Sequence, residues 1–461
     1  MPDPAQSTFH YAGVAGSGMS ALAQYQAMLG GTATGSDRVF DRGGAPAIRR
    51  ALEKVGVRIL PQDGTGVRPG CDALIVSTAV EESVPDVRSA REAGIPVMHR
   101  SEVLARLTAA RRTVAVAGTS GKSTVVAMIF ELARGAGLDP SLITGGDLKV
   151  LAEQGYLGNA WAGASDLLVI EADESDGSLV RYAPAIGVVL NLDRDHKEVE
   201  EVRAMFDAFR QRTREAFVVG DGPNLAHLRS GATVFGTSQA AEAGGFRGTG
   251  IRLLADASEF TAAGVSFRVP APGLHTVENA LAALAACAAI GLPIAALASP
   301  LAGFSGVRRR FERVGMIAGV EVIDDFAHNP AKLKAAIAAA RLRAPGRILA
   351  VFQPHGFGPT RFLRNELVEA FSAALRPEDQ LWLLEIFYAG GTVSRDLSAA
   401  DLVQDLRACG VQAEFAGSGR EALATRLAEV ARAGDLILVT GARDPSLTDL
   451  CRLILAEIVQ R

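Results

Sequence analysis

The sequence predicts an α/β protein of about three domains, each built on a largely parallel sheet. Three observations lead there. Short, unbroken apolar runs such as Ala73–Val76 and Ala185–Leu190 alternate with amphipathic stretches of helical length. The strand–turn–helix rhythm starts afresh three times along the chain. A chain of 461 residues also exceeds what one core supports.

The first segment, expected over 1–108, opens with a strand from Phe9 into Ala15, a glycine turn, and a helix from Met19 to Leu29. Further strands are expected at Gly31–Gly35, Ala73–Val76 and Ile95–Met98. The second segment, 109–302, begins with the strand Thr113–Ala117 and a helix from Val125 to Arg134. It continues through strands Asp166–Ile170 and Ala185–Leu190, and Ala240–Gly250 is expected to be a loop or hairpin. The third segment, 303–461, has strands at Val320–Ile323, Arg347–Phe352, Gln380–Leu384 and Asp435–Val439. In such sheets ligands gather beyond the carboxyl ends of the strands, and the polar motifs of this chain fall there.

Composition removes several function classes. Charged residues make up 21% of the chain and the net charge is −4, which gives no basis for nucleic acid as a partner. No apolar run reaches about 18 residues, so no membrane insertion is expected. The start of the chain lacks the apolar core of a signal peptide. Cys71, Cys287, Cys409 and Cys451 show no paired spacing and read as free thiols of a cytoplasmic protein. Oligomeric state is not legible.

The sharpest motif is Gly118-Thr119-Ser120-Gly121-Lys122-Ser123-Thr124, which leaves a strand and enters a helix. Glycines let the backbone wrap a phosphate, and the helix N-terminus supplies N–H groups and a positive dipole end. Lys122 is placed to reach the terminal phosphates of ATP, and Ser123 to ligate Mg²⁺. The acidic run Glu171-Ala-Asp173-Glu174-Ser-Asp176 follows the next strand, and Glu171 is the best placed to join that Mg²⁺. Asn191-Leu-Asp193-Arg-Asp195-His196 follows another, which gives His196 a metal or phosphate role.

The opening turn, Gly13-Val-Ala-Gly16-Ser17-Gly18-Met19-Ser20, with Asp37 at a distance suited to a ribose, resembles a dinucleotide fingerprint. Its glycine order is G-x-x-G-x-G, not G-x-G-x-x-G, so the turn alone marks a nucleotide-diphosphate site, with NAD an open alternative. Arg308-Arg-Arg310 is either a surface run or a source of an arginine that crosses a domain gap. Asp324-Asp325-Phe-Ala-His328 and Phe352-Gln-Pro-His355 put acids and histidines at what read as adjacent strand ends.

Together these motifs resemble the Mur ligase family over essentially the whole chain. Val76-Ser77-Thr78-Ala79, Gly273-Leu-His-Thr-Val-Glu-Asn279 and Leu384-Glu-Ile-Phe-Tyr-Ala-Gly390 extend the match. The resemblance implies a Rossmann-like first domain that binds a UDP-sugar, a central P-loop ATPase-type domain, and a Rossmann-like lid that carries the acceptor. It implies that Gly13, Gly16, Ser17, Gly18, Met19 and Ser20, with Asp37, Ser77 and Thr78, hold the UDP-sugar, which turns the open choice at the first turn away from NAD. It implies ATP phosphates on Gly118 to Thr124, Mg²⁺ on Ser123 and Glu171, and a second Mg²⁺ at His196. Asn279 is then expected near adenine, Arg310 near the phosphates and Asp325 near the ribose. Lys122, His196, His328 and His355 become the catalytic candidates. The implied reaction phosphorylates the carboxylate of UDP-N-acetylmuramate with ATP and joins it to an amino acid, L-alanine or a related amine, in peptidoglycan precursor synthesis; a muropeptide-recycling ligase that attaches a peptide, or a ligase of this family with another acceptor, is the alternative within enzymology. A non-catalytic nucleotide sensor derived from the same fold is the alternative outside enzymology.

The chain departs from the family pattern mainly after His355. Where the family branch acting on L-alanine has F-Q-P-H-R-Y-T-R-T, this chain has Gly356-Phe357-Gly358-Pro359-Thr360, and Arg361 lies two residues past the second lost arginine. Phe326 and Asn329 replace a tyrosine and a second histidine, and Thr276 an asparagine. An arginine–carboxylate pair is directional and often bidentate. The expectation is a retained ATP site and an altered acceptor site.

Overall fold

The structure is a computed structural model and describes residues 4–195, 197–241, 245–388 and 394–460. Its strands form four sheets. The first runs Arg58–Leu60, Thr32–Ser36, Thr8–Ala12, Ala73–Val76, Val97–His99, all parallel. In this order the direction of winding reverses between Thr8–Ala12 and Ala73–Val76, and such a reversal leaves a crevice at the carboxyl ends. Gly13 and Ser77 flank that crevice.

The second sheet runs Phe246–Arg247, Thr233–Gly236, Ala216–Gly220, Ile186–Val189, Arg112–Ala117, Leu167–Glu171, Ser141–Ile143, Ala160–Trp161. Only the last edge pair is antiparallel. The strand that feeds the glycine loop therefore lies between the strands that feed the two acidic motifs. Sequence order could not reveal this, because the three strands are far apart in the chain. The helix after the loop, Lys122–Gly135, packs on Leu274–Ala289. Five alanines of the second helix are buried (Ala280, Ala282, Ala283, Ala285, Ala286), and such small side chains allow close approach. Each buried Val or Leu around them contributes about 1.5–3 kcal/mol.

Of the loop or hairpin expected at Ala240–Gly250, residues 242–244 lie outside the described residues, Phe246–Arg247 is an edge strand of the second sheet, and Thr249–Leu253 opens a three-stranded antiparallel sheet with Ser258–Ala262 and Val265–Val269. The last sheet runs Glu312–Ile317, Val320–Asp325, Leu436–Gly441, Ile348–Gln353, Gln380–Leu384, Ala413–Gly417, parallel except for its first strand. Val320–Asp325 and Ile348–Gln353 are not adjacent, contrary to the sequence expectation, because Leu436–Gly441, from the far end of the chain, pairs with both. Cys71, Cys287, Cys409 and Cys451 are free, as expected. Among the described residues no helix is long and apolar enough to cross a membrane.

Candidate active site

The glycine loop is held by its neighbours on both sides. Gly118 and Gly121 have φ of 140° and 84°, a region that L side chains rarely adopt. A Cβ on Gly121 would also lie 2.4 Å from Asn279 Oδ1, which puts Asn279 against the loop. Asn191 clamps the loop from the next strand: its Oδ1 accepts from Ser120 N at 2.8 Å and from Thr119 Oγ1 at 3.0 Å. Its Nδ2 donates to Ser120 O at 3.1 Å. Lys122 Nζ folds back on Gly118 O at 2.8 Å and pairs with Glu174 at 2.5 Å and Asp173 at 3.4 Å. Thr124 is half-buried in the first turn of the helix. The buried Ser120 hydroxyl has no hydrogen-bond partner among the described residues, so the loop retains a donor for a ligand oxygen.

The two metal candidates on described residues meet. Ser123 Oγ lies 3.1 and 3.2 Å from the Glu171 carboxylate oxygens. Glu171 Oε2 also accepts from Thr144 Oγ1 at 2.8 Å and Gly145 N at 3.0 Å. A hydroxyl and a carboxylate oxygen suit a hard cation, and Mg²⁺ commonly takes few protein ligands beside substrate phosphates and waters. Among the described residues no group of three or more His, Cys, Asp or Glu side chains is arranged to cage an ion. The third metal candidate, His196, lies outside the described residues.

The last segment reaches into this cleft through a strained corner. Arg309 and Phe311 have φ of 56° and 49°. Such non-glycine conformations cost on the order of 1–3 kcal/mol and persist where surrounding contacts fix them. Those contacts are visible: Arg309 bonds Asp324, Asp444 O and Gly441 O. Asp325 accepts from Phe311 N at 2.6 Å and Ala327 N at 2.7 Å. The corner turns Arg310 toward the loop, where Nη2 lies 3.4 Å from Ser123 Oγ and the guanidinium covers the Phe326 ring at 4.7 Å. Asp325, expected to contact a ribose, has both oxygens engaged in holding this corner.

His328 and His355 come together although their strands are separated, with ring centroids 4.9 Å apart at 84°. They line a pocket with Asp195, Phe352, Pro354, Pro359, Thr360, Leu363 and Leu367. Among the described residues no arginine or lysine lines it. Arg361 does not replace the lost arginines: it is paired with Asp396 at the exposed surface. His328 Nδ1 lies 2.9 Å from Phe326 O. A carbonyl only accepts, so Nδ1 carries the proton and Nε2 bears the lone pair. Lys332 Nζ approaches that lone pair at 3.4 Å and Asp195 Oδ2 at 3.1 Å. Asn329 Nδ2 bonds the same Asp195 oxygen at 2.7 Å, and its own Oδ1 caps the helix Pro330–Arg343.

At the first glycine turn, Gly13 has φ of 76°, and a Cβ there would lie 3.5 Å from Val80 of the Ser77–Thr78 turn. Gly16 and Ser17 are exposed. Asp37 supports the turn: one oxygen accepts from Ala15 N at 3.0 Å, the other from Val39 N at 2.9 Å. Met19 packs in the core and Ser20 is buried, its hydroxyl accepting from Asn159 Nδ2 at 3.0 Å. These two residues face inward, so only the front of the motif, Gly13 to Gly18, fronts the crevice. Arg100 spans Gly18 and pairs with Asp176 at 2.5 Å.

Burial and charge set the ionisation. Burial opposes the charge on Lys122, yet Asp173, Glu174 and Glu171 outweigh it and hold its pKa above the usual lysine value. Burial raises the Asp173 pKa, but Lys122 and hydrogen bonds from Ser175 overcome it and bring it down to about 2. Burial holds Lys332 below the ordinary lysine value; Asp195 counters this, and repulsion from Lys122 and Arg310 adds to it. His275, beside Asn279's helix turn, is brought down to about 4 by burial and is neutral.

Sequence reasoning missed Thr144, Asn159, Arg100 and Lys332. Each is a common polar residue outside any glycine or acidic motif. Only Lys332, four residues after His328 on a helix start, carried a spacing that could have marked it.

Three family models match in series: the Mur ligase family catalytic domain over residues 8–112, the Mur ligase middle domain over 116–287, and the Mur ligase glutamate ligase domain over 309–443. The UDP-N-acetylmuramate–L-alanine ligase of Mycolicibacterium gilvum is 36% identical over 485 residues, covering 99% of this chain and 98% of the relative. The enzyme of the same name from Thermosynechococcus vestitus is 34% identical over 460 residues, covering 94% and 92%. Among solved structures, a UDP-N-acetylmuramate–alanine ligase from Thermotoga maritima aligns with a TM-score of 0.78 at 23% identity, covering 98% of this chain and 99% of that one. A murein peptide ligase from Psychrobacter arcticus aligns with a TM-score of 0.69 at 21% identity over 98% of both chains. With its three α/β units, its glycine loop and its matched length, the chain belongs to the Mur ligase family of ATP-dependent amide-forming ligases.

Proposed function

We propose that the chain uses ATP to activate the carboxylate of UDP-N-acetylmuramate and joins it to an amine in peptidoglycan precursor synthesis. Residues 1–108 bind the UDP-sugar, 109–302 bind ATP, and 303–461 form the lid that carries the acceptor. One observation supports this most: Ser123 Oγ lies 3.1 Å from Glu171 and 3.4 Å from Arg310, on the loop that carries Lys122. Three distant parts of the chain thus bring phosphate-binding and metal-binding groups to one point.

In this reading a carboxylate oxygen attacks the γ-phosphorus and ADP leaves. The amine then attacks the acyl carbon, loses a proton, and expels phosphate. No side-chain nucleophile is needed. The chain's work is to hold anions together and offset their charge, which the order of magnitude of such effects makes sufficient. Lys122 exchanges its carboxylate partners for phosphate oxygens, Arg310 closes from the lid, and Ser123 and Glu171 hold Mg²⁺, which supplies charge neutralisation when bound. Gly13 to Gly18 receive the diphosphate at the helix N-terminus. The reaction belongs in the cytoplasm, where ATP and nucleotide-linked sugars are made.

The acceptor is an amine whose carboxylate is not gripped by arginine. The pocket at His328 and His355 is lined by Asp195, Thr360 and apolar side chains, with no arginine or lysine among the described lining residues. Loss of the two motif arginines after His355 leaves the acceptor as an amino acid, L-alanine or a related amine, with a peptide as the alternative. The test is UDP-N-acetylmuramate labelled with ¹⁸O in its carboxylate. This mechanism transfers one label to inorganic phosphate. Turnover with unlabelled phosphate contradicts it.

A further inference from the structure

Lys332 is a buried amine that the phosphate chemistry above does not use. Its side chain is 16% exposed and lies in the gap between the ATP-binding segment and the lid. An ammonium has three N–H donors in tetrahedral array. Two are engaged, on Asp195 Oδ2 at 3.1 Å and on the lone pair of His328 Nε2 at 3.4 Å. The third has no partner among the described residues. Asp195 belongs to the strand-end motif whose Asn191 clamps the phosphate loop, and Asp195 is itself fixed by Asn329. The ammonium is therefore anchored on two sides, and Lys122 and Arg310 lie close enough to act on its charge.

We propose that Lys332 is a catalytic residue, a second cation that faces Lys122 across the cleft and donates its third N–H to an oxygen of the reacting acyl group. The inference rests on the ligase reading above. Lys122 offsets charge on the transferred phosphoryl group from the loop side. Lys332 offsets the negative charge that builds on the acyl oxygen when the amine adds, and returns to its resting contacts when phosphate leaves. An ammonium held before the reaction serves better than one recruited during it, because no reorganisation is needed. The contact to His328 Nε2 also removes that nitrogen as a free base, so His328 orients Lys332 and does not take the amine's proton.

The test uses the full chain with ATP, Mg²⁺, UDP-N-acetylmuramate and hydroxylamine as a small surrogate amine, with hydroxamate and ADP read together. Lys332→Met is expected to lower kcat about 100- to 1000-fold, the usual loss for one preorganised oxyanion donor, with the KM for ATP and for the UDP-sugar within about threefold of wild type. Lys332→Arg restores part of the rate. Glu366→Gln, which breaks the separate lid contact to Arg194, controls for lid docking and stays within about threefold. Wild-type-like kcat in Lys332→Met, or a loss confined to the KM for ATP, overturns the inference, since the lysine then only docks the lid. Thermal unfolding of each variant checks the fold, and Lys332→Arg carries the test if Lys332→Met does not fold: a folded Lys332→Arg with a lowered but measurable kcat and normal KM values supports the inference, and one with wild-type kcat and a raised KM for ATP overturns it. Failure of the ligase reading has another signature: Lys122→Ala at full rate overturns both, whereas a dead Lys122→Ala beside an unimpaired Lys332→Met overturns only the role of Lys332.

Discussion

The proposed phosphate cleft and the proposed acceptor pocket lie side by side, and their construction differs. In the cleft every charged group has at least one answering group: Lys122 has Asp173 and Glu174, Glu171 has Ser123, Thr144 and Gly145 N, and Asp325 has two backbone N–H groups. In the pocket, two histidines and Asp195 share space with phenylalanine, proline and leucine side chains; no arginine or lysine is among the described lining residues, and Lys332 stands behind Asp195 and His328. The first site is cross-braced from three segments, so a single change breaks several contacts. The second is a shaped space, where side chains are exchanged at small cost to the rest. Chemistry is held where contacts are redundant, and selectivity is set where they are few.

That contrast is broken most directly at Lys122. Lys122→Ala is expected to cut ADP release by at least about 1000-fold, while circular dichroism stays native. The released Asp173 and Glu174 then repel each other, so a modest fall in melting temperature accompanies the loss. Next is Glu171→Gln, expected to lower kcat by about 100-fold and to raise the Mg²⁺ concentration needed for half-maximal rate. Unchanged Mg²⁺ dependence removes Glu171 from the metal site.

The pocket side predicts smaller, selective effects. Pro359→Arg puts a guanidinium on the pocket wall and is expected to raise kcat/KM for a free small amino acid about tenfold, the value of roughly one directional ion pair, with the KM for ATP unchanged. Gly356→Arg is the poorer choice, because Gly356 has φ of 71° and a Cβ there lies 3.2 Å from Pro359 Cδ. It is expected to destabilise the chain by about 1 kcal/mol. Smallest of all is Arg361→Ala. Its exposed pair with Asp396 predicts a stability change within about 0.5 kcal/mol and no kinetic effect. A kinetic loss there means that Arg361 serves the acceptor after all.

The same contrast explains what was legible in the sequence. The strands feeding the cleft read clearly, since a buried parallel strand is a continuous apolar run, and Arg112–Ala117, Leu167–Glu171 and Ile186–Val189 fall within a residue of where they are expected. Glycine loops read clearly because positive φ demands glycine at Gly13, Gly118 and Gly121. The antiparallel sheet at Thr249–Val269 did not, because its first strand is mostly exposed and carries no apolar run. Spatial neighbours were also hidden: that Leu436–Gly441 separates the strands before His328 and His355 follows from sheet order alone. Lys332 was missed for a related reason. A lysine on a helix start reads as a solvated face until a carboxylate from another segment, Asp195, is found against it.

The central claim is that one cleft activates a sugar-linked carboxylate and passes it to an amine. Mass spectrometry of the products from ATP, Mg²⁺, UDP-N-acetylmuramate and a mixture of amino acids and short peptides tests it most directly. The account predicts one new amide, lighter by one water than its two parents and formed in step with ADP. ADP that accumulates without any amide, or no ADP at all, contradicts it.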